Sequence, residues 1–324
     1  MLSTLVVWAL LVTTPPATPL PAQRSATKPP RHRAVAVTFD DLPAPSDSVV
    51  ADDAGTLKEM TGRLLATIKA NHIPAVGFVN EEKLYNDDQF EARVAILQMW
   101  LNAGLELGNH TFSHVGLQAT PLADYEEDVI RGETVTRRLL HERGRKLRYF
   151  RYPFLEVGPD LETRRAFEKF LAARGYRAAP VTVNNEEYVF AAVYARALAR
   201  GDRETAEHVA RAYITYMEQV FAYFEKFSVD LLGYAVKQVL LLHADSLNAD
   251  YLNDLVRMMK GRGYTFITLD QALKDKAYHQ PDTYSGESGV SWIEHWAVTK
   301  GLKAPRGPGV PEFVRRQYEA MSEK

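Results

Sequence analysis

The chain has 324 residues, 46% of them hydrophobic and 25% charged, which is enough apolar material for a sizeable core. Its formal net charge of -2 gives no support to binding of nucleic acid or an anionic membrane. There is no cysteine, so disulfides, thiolate metal sites and cysteine nucleophiles are excluded together, and any metal site must be built from His, Asp and Glu.

Residues 1–23 read as a secretory signal. Leu5 to Val12 is an apolar run too short to span a bilayer, followed by Pro15, Pro16, Pro19 and Pro21 and a cleavage point at Ala22, although no Lys or Arg precedes the run. The expectation is export to a periplasmic or extracellular location, with no stable membrane insertion once the signal is removed. Residues 24–33, polar and Pro-rich, read as a linker.

The folded domain is expected over residues 34–275. Ala34 to Phe39 is a buried strand that delivers Asp40 and Asp41 at its carboxyl end. Leu57, Met60, Leu64, Leu65 and Ile68 then recur at helical spacing, and Asn71 and Pro74 mark the stop. Ala75 to Val79 is a strand, and Val94, Leu97, Trp100 and Leu101 define a helix ending at Gly104. Leu105 to Leu107 is a short strand, and His110 and His114 follow it. Thr120-Pro121 is an N-cap and first-turn pair for a helix running to about Arg143. Arg148 to Phe154 is a strand entering a turn, Asp160 to Arg174 a helix, and Arg177 to Val183 another strand. Residues 187–234 break the alternation as a helical insertion, whose stripe of Tyr213, Met217, Val220, Phe221 and Phe224 reads as helix-packing core. Val239 to Leu242 is a buried strand closed by His243, and Tyr264 to Thr268 is the last strand. Residues 276–324 form a C-terminal extension in which Trp292 and Trp296 share a face if helical. They either dock the tail or wall a groove.

Roughly seven strand–helix units favour a mainly parallel sheet, open or closed. Polar residues recur at its strand carboxyl ends: Asp40, Asp41, His110, Arg151, Asn184 and His243. Chemistry collects there in barrels and open α/β sheets alike. The histidine pair is a weak metal signal alone, because His-x-x-x-His arises by chance. Its rings converge if the loop coils as one helical turn. Beside the two aspartates it becomes a two-His-one-Asp ligand set, with the second carboxylate free as a base. Either aspartate alone would read as a solvated turn or a helix cap. His243 is a general acid if the metal site is real and an ordinary histidine otherwise. Arg151 can hold a carboxylate by a bidentate pair or lie in a surface ion pair.

Thr38-Phe39-Asp40-Asp41, His110-Thr111-Phe112-Ser113-His114, Arg151-Tyr152-Pro153-Phe154 and Leu241-Leu242-His243 resemble, in order, the motifs of the polysaccharide deacetylases, the NodB-homology group or carbohydrate esterase family 4. The resemblance spans about Ala34 to Leu273. It implies a distorted (β/α)7 barrel of mainly parallel strands, and a divalent metal held by Asp41, His110 and His114. Zinc is the first choice, with cobalt, nickel or manganese as alternatives. It also implies Asp40 as base, His243 as acid and Arg151 orienting the base. The Phe154 N–H is implied as oxyanion donor, and Leu241 as the apolar wall for the acetyl methyl. Where the family has Asp followed by Trp, this chain has Glu187 and Tyr188, so the charge partner of His243 and the pocket wall depart from the pattern. The implied activity is removal of acetyl groups from an N-acetylated sugar of chitin or peptidoglycan type, or from O-acetylated xylan. The partner is then an acetylated glycan or small acetylated substrate, and no nucleic acid. Two other readings stand beside it: hydrolysis of a small cyclic or linear amide on the same scaffold, and a carbohydrate-binding protein with a vestigial site.

Overall fold

A computed structural model describes residues 33–45, 53–286 and 288–322. The expected signal and all of the linker except Arg33 lie outside the described residues. Seven strands form one sheet: β1 (Arg33–Leu42), β2 (Val76–Val79), β3 (Glu106–Asn109), β4 (Tyr149–Phe150), β5 (Arg177–Ala178), β6 (Gln238–His243) and β7 (Tyr264–Phe266). Every pairing is parallel, in the order β5-β4-β3-β2-β1-β6, with β7 on the first residues of β1. The strand expected over Arg177 to Val183 is paired as β5 for only two residues. The chain beyond it swings across to β6, where Val183 bridges Leu240 in parallel. The sheet therefore curls round until its two edges meet, a half-barrel form of the expected (β/α)7 architecture.

Strand alternation sorts the core into two layers. Ala36, Val76, Phe78, Tyr149 and Val239 pack together inside the curl, capped by Leu269, Ala272 and Leu273. Val35, Val37, Phe39, Leu240 and Leu242 face outward into the larger core shared with the helices. On β1 and β6 the inward positions continue through Thr38 to Asp40 and through Leu241 to His243. Asp40 and His243 are register partners. The period of two therefore points both at the open carboxyl end of the curl.

Outside the sheet lie α1 (Ala54–Ala70), α2 (Phe90–Asn102), α3 (Leu122–Arg131), α4 (Thr134–His141), α5 (Leu161–Ala173), α6 (Glu187–Ala199), α7 (Arg203–Leu232) and α8 (Ser246–Gly261). Local chemistry starts several of them: Asp53, Asp160, Asp202 and Asp245 each accept an N–H of the first turn. Gly233 ends α7 in the left-handed conformation. The single helix expected from Thr120 to Arg143 is instead the pair α3 and α4, broken at Gly132-Glu133. The position before α3 is Pro121, which makes no side-chain cap, so Thr120 is not the N-cap. The α6–α7 hairpin fills the insertion, and Tyr213, Met217, Val220, Phe221 and Phe224 are buried in it as expected. After the short α9 (Leu269–Ala272), the C-terminal extension folds back as α10 (Trp292–Thr299) and α11 (Glu312–Ser322). α10 begins with a Ser291/Glu294 capping box. α11 packs on α6, where Arg315 pairs with Glu186 at 3.0 Å and Tyr318 meets Tyr188. Among the described residues no helix is long and apolar enough to cross a membrane.

Candidate metal centre and active site

Two adjacent aspartates can face the same cavity only if the strand turns between them. Asp41 has φ 67°, in the left-handed region, and the β1–β2 register shifts between Phe39 and Leu42. That irregularity turns the Asp41 side chain toward the histidines while Asp40 stays on the inward face. The histidine segment is not a helical turn, as its spacing allowed, but a loop with Thr111 at φ 65° and His114 at φ 58°. Side chains hold it there. Asn109 accepts the Thr111 N–H at 2.7 Å, Thr111 Oγ1 accepts the His114 N–H at 3.0 Å, and Asp128 on α3 accepts from Phe112, Ser113 N–H and the Ser113 hydroxyl. Gly132 lies against the same loop. A Cβ there would come within 2.4 Å of the Thr111 carbonyl carbon, so only glycine fits.

Asp41, His110 and His114 offer ligand atoms that all lie within 4.8 Å of one another. Asp41 Oδ1 is 3.2 Å from His114 Nε2 and 3.6 Å from His110 Nε2, and it is buried without a hydrogen-bond donor. His110 Nδ1 sits 2.9 Å from the Arg151 carbonyl, which fixes the proton on Nδ1 and leaves Nε2 free with its lone pair. Burial pushes both imidazoles below their usual pKa, so they are neutral at pH 7. Burial pushes the Asp41 carboxyl up, but Lys83, His114 and His110 outweigh it and hold it below the usual range. A buried carboxylate oxygen with no donor, facing two neutral imidazole nitrogens, fits a divalent cation. The mixed N/O donor set suits zinc and its neighbours. Lys83, which the sequence reading missed, comes from the 3₁₀ turn after β2 and reaches the other Asp41 oxygen at 3.4 Å. Its signal is positional: it follows the carboxyl end of β2, from which none of the polar residues singled out in the sequence comes.

Asp40 is buried and meets Arg151 Nη1 at 3.1 Å, while Arg151 Nη2 donates to Thr38 Oγ1 at 2.9 Å. The pair is thus single-pronged rather than bidentate, with the second nitrogen held by Thr38. Arg151 is fully buried over the Phe78 ring at 4.7 Å, which rules out the surface ion pair. Burial raises the Asp40 pKa to about 6, against the opposing charges of Arg151 and His243. On the far side, His243 Nδ1 contacts Glu187 Oε2 at 2.7 Å, and the His243 backbone N–H donates to Glu187 Oε1 at 3.1 Å. Burial alone would lower the His243 pKa, but the Glu187 charge carries it up to about 10. Glu187 is fully buried at the start of α6, not solvent-facing.

Asp40, Asp41, His110, His114 and His243 line one cavity of about 480 Å³, together with Tyr152, Phe154, Asn184, Tyr188, Leu241 and Gly289. Phe154 has φ 55° in the turn after β4, and its ring packs edge-on to His114 at 4.5 Å. Gly289, from the C-terminal extension, lies so close to the Phe154 carbonyl that a Cβ would overlap it. Asn184, Asn185 and Glu186 also border a second depression of about 260 Å³ between α7 and the tail at Gly307-Pro308. Trp292 and Trp296 do not line the metal cavity. They are buried against Tyr152 and Tyr278 and dock the tail.

Comparison with known proteins matches residues 27–171 to the family described as polysaccharide deacetylase. No curated protein matches the sequence. Among solved structures, the chain is similar to a family 4 carbohydrate esterase pseudoenzyme from Bacillus anthracis, at 15% identity over 76% of this chain and 67% of that one, TM-score 0.46. It is also similar to the family 4 carbohydrate esterase from Streptomyces lividans in complex with acetate, at 16% identity over 75% and 96%, TM-score 0.45. A third is the peptidoglycan deacetylase PdaC from Bacillus subtilis, at 17% identity over 76% and 91%, TM-score 0.45.

Proposed function

Residues 27–171 belong to the polysaccharide deacetylase family, and from that premise we propose that this chain is a metal-dependent hydrolase that removes acetyl groups from a carbohydrate. One observation carries the reading. The Asp41–His110–His114 cluster lies beside a buried carboxylate, Asp40, held by Arg151, and a partly buried imidazole, His243, held by Glu187, and the cluster, Asp40 and His243 line one cavity. A divalent cation held by these three residues, zinc by preference, would polarise the acetyl carbonyl and acidify a nearby water.

The chain's own residues supply the rest. Asp40 accepts the proton of the attacking water. Its raised pKa of about 6 makes it a stronger base than an ordinary aspartate and still leaves it mostly ionised at pH 7. Arg151 fixes its orientation. Phe154 lines the cavity, and its backbone N–H is the proposed oxyanion donor. Leu241 and Tyr188 wall the acetyl and sugar positions. His243 holds a proton at neutral pH because Glu187 stabilises the imidazolium, and it delivers that proton to the departing amine or alkoxide. A second depression that shares the lining residues Asn184, Asn185 and Glu186 with the cavity favours an extended glycan, of chitin, peptidoglycan or xylan type, over a small amide. The intact base and acid argue against a vestigial binding protein. Export to the periplasm or the cell exterior accords with such a substrate.

The test is acetate release from a panel of acetylated glycans and peptidoglycan fragments, with and without added zinc after chelation. Release that is insensitive to chelation would remove the metal from the mechanism. No release from any glycan, with release from small amides, would establish the alternative substrate.

A further inference from the structure

Behind Glu187 lies a second buried acidic group that the proposed reaction does not use. Asp245, two residues past His243, is 4% exposed and caps α8 by accepting the Asn248 N–H on Oδ1 at 2.8 Å. The Asn248 side-chain amide donates to Glu187 Oε1 and to the His243 carbonyl at 3.0 Å, and stands 3.4 Å from Asp245 Oδ2. Tyr213 on α7 donates to Asn248 Oδ1 at 2.9 Å and fixes which way that amide points. The Glu187 and Asp245 carboxyl groups therefore meet around one amide nitrogen, where each acts on the other.

Two carboxylates in contact in a dry interior cannot both ionise, so one carries a proton that the other accepts. The donor inventory decides which. Glu187 receives the His243 N–H, the His243 ring N–H and the Asn248 amide. Asp245 receives one backbone N–H and a long approach from the same amide. The charge belongs where three donors converge.

We propose that Asp245 is a positioning residue: its neutral carboxyl group donates a hydrogen bond to Glu187, holds that carboxylate against the His243 ring and takes up part of its negative charge. The burial of Asp245 and its contact with Glu187 both push its own pKa well up, in keeping with a protonated group. The other ionisable groups around this pair are His243 on β6, Asp40 and Asp41 on β1, and Tyr213 on α7. In the resting enzyme the array is an acid, a carboxylate and an imidazolium in line, with no net charge. Without the Asp245 donor, the full Glu187 charge would fall on His243 and make it a weaker acid.

The inference rests on the reading of His243 as the acid, but its primary test does not. Infrared spectra of the full chain, with 13C-labelled aspartate, are compared for wild type and Asp245→Asn at neutral pH. A protonated-carboxyl band present in wild type and absent in the variant is expected. Identical spectra in that region from two folded proteins would overturn the proposal. The second arm is the pH profile of turnover. Asp245→Asn keeps an N–H donor toward Glu187 and should retain most turnover, with a nearly unmoved alkaline limb. Asp245→Ala removes the donor, and the limb should move up by about one pH unit while turnover falls about tenfold, the worth of one hydrogen bond to a charged group. Downward movement of the limb in both variants would mean that Asp245 is ionised and would refute the proposal. If wild type releases no acetate, the deacetylase reading falls by itself and the infrared comparison still decides the state of Asp245.

Discussion

Replacing Glu187 by Gln removes one charge and little volume from the partner of His243. In the native protein, burial lowers the His243 pKa, and the Glu187 carboxylate at 2.7 Å, together with the charges of Asp41 and Asp40, reverses this and raises it to about 10. A hydrogen bond between charged partners is worth about 1.5–3 kcal/mol. At 1.36 kcal/mol per pH unit this is about one to two units, so the alkaline limb of turnover should fall from about 10 to about 8–9. Because the folded pKa of His243 lies above its unfolded value, the pair's stabilisation is complete below pH 6.5 and is lost as pH rises through about 10. Glu187 is depressed below 4.5, so on the acid side its contribution is present above 4.5 and is lost as pH falls through its lowered value. The melting temperatures of wild type and Glu187→Gln should therefore differ most between about pH 4.5 and 6.5 and converge above about pH 10. The assay is the pH dependence of turnover, paired with thermal melts across the same range. Coincident alkaline limbs with equal turnover would refute the reasoning and leave His243 without a functional partner.

His110→Ala and His114→Ala should each lose bound metal and nearly all turnover while keeping the fold, and equal zinc content in wild type and both variants by elemental analysis would exclude the assigned ligand set. Asp40→Asn should keep the metal and lose turnover by roughly 10²–10⁴-fold, the usual worth of a positioned base, and near-normal acetate release with metal bound would move the base elsewhere. Trp296 is 2% exposed and packs on Tyr278, so Trp296→Ala should destabilise by about 3–5 kcal/mol in denaturant titration. It should leave the Michaelis constant for long glycans unchanged, and a raised constant without a loss of stability would make the tail a groove wall.

Much of this protein can be read locally. The apolar runs ending in Asp40-Asp41 and in His243 are strands because a fully buried parallel strand needs an unbroken hydrophobic sequence. A period of two then aims the final inward residue at the open end of the curl. Helix starts at Asp53, Asp160 and Ser291, and the stop at Gly233, follow from side-chain and backbone chemistry within a few residues. The residue types that gather at the candidate site and their order along the chain were therefore legible, as was Glu187 in place of Asp. What the tertiary structure alone decided depends on contacts between distant segments. Left-handed backbone at Thr111 and His114 costs energy locally and persists because Asp128 and Gly132, from a different segment, hold the loop. Lys83 meets Asp41, and Asp245 meets Glu187, only after the sheet has curled. The tail reaches the site at Gly289 and Glu186 through packing that no period in its sequence announces. Periodicity reports which face of an element is buried but not which other element covers it, and the site depends on that second fact.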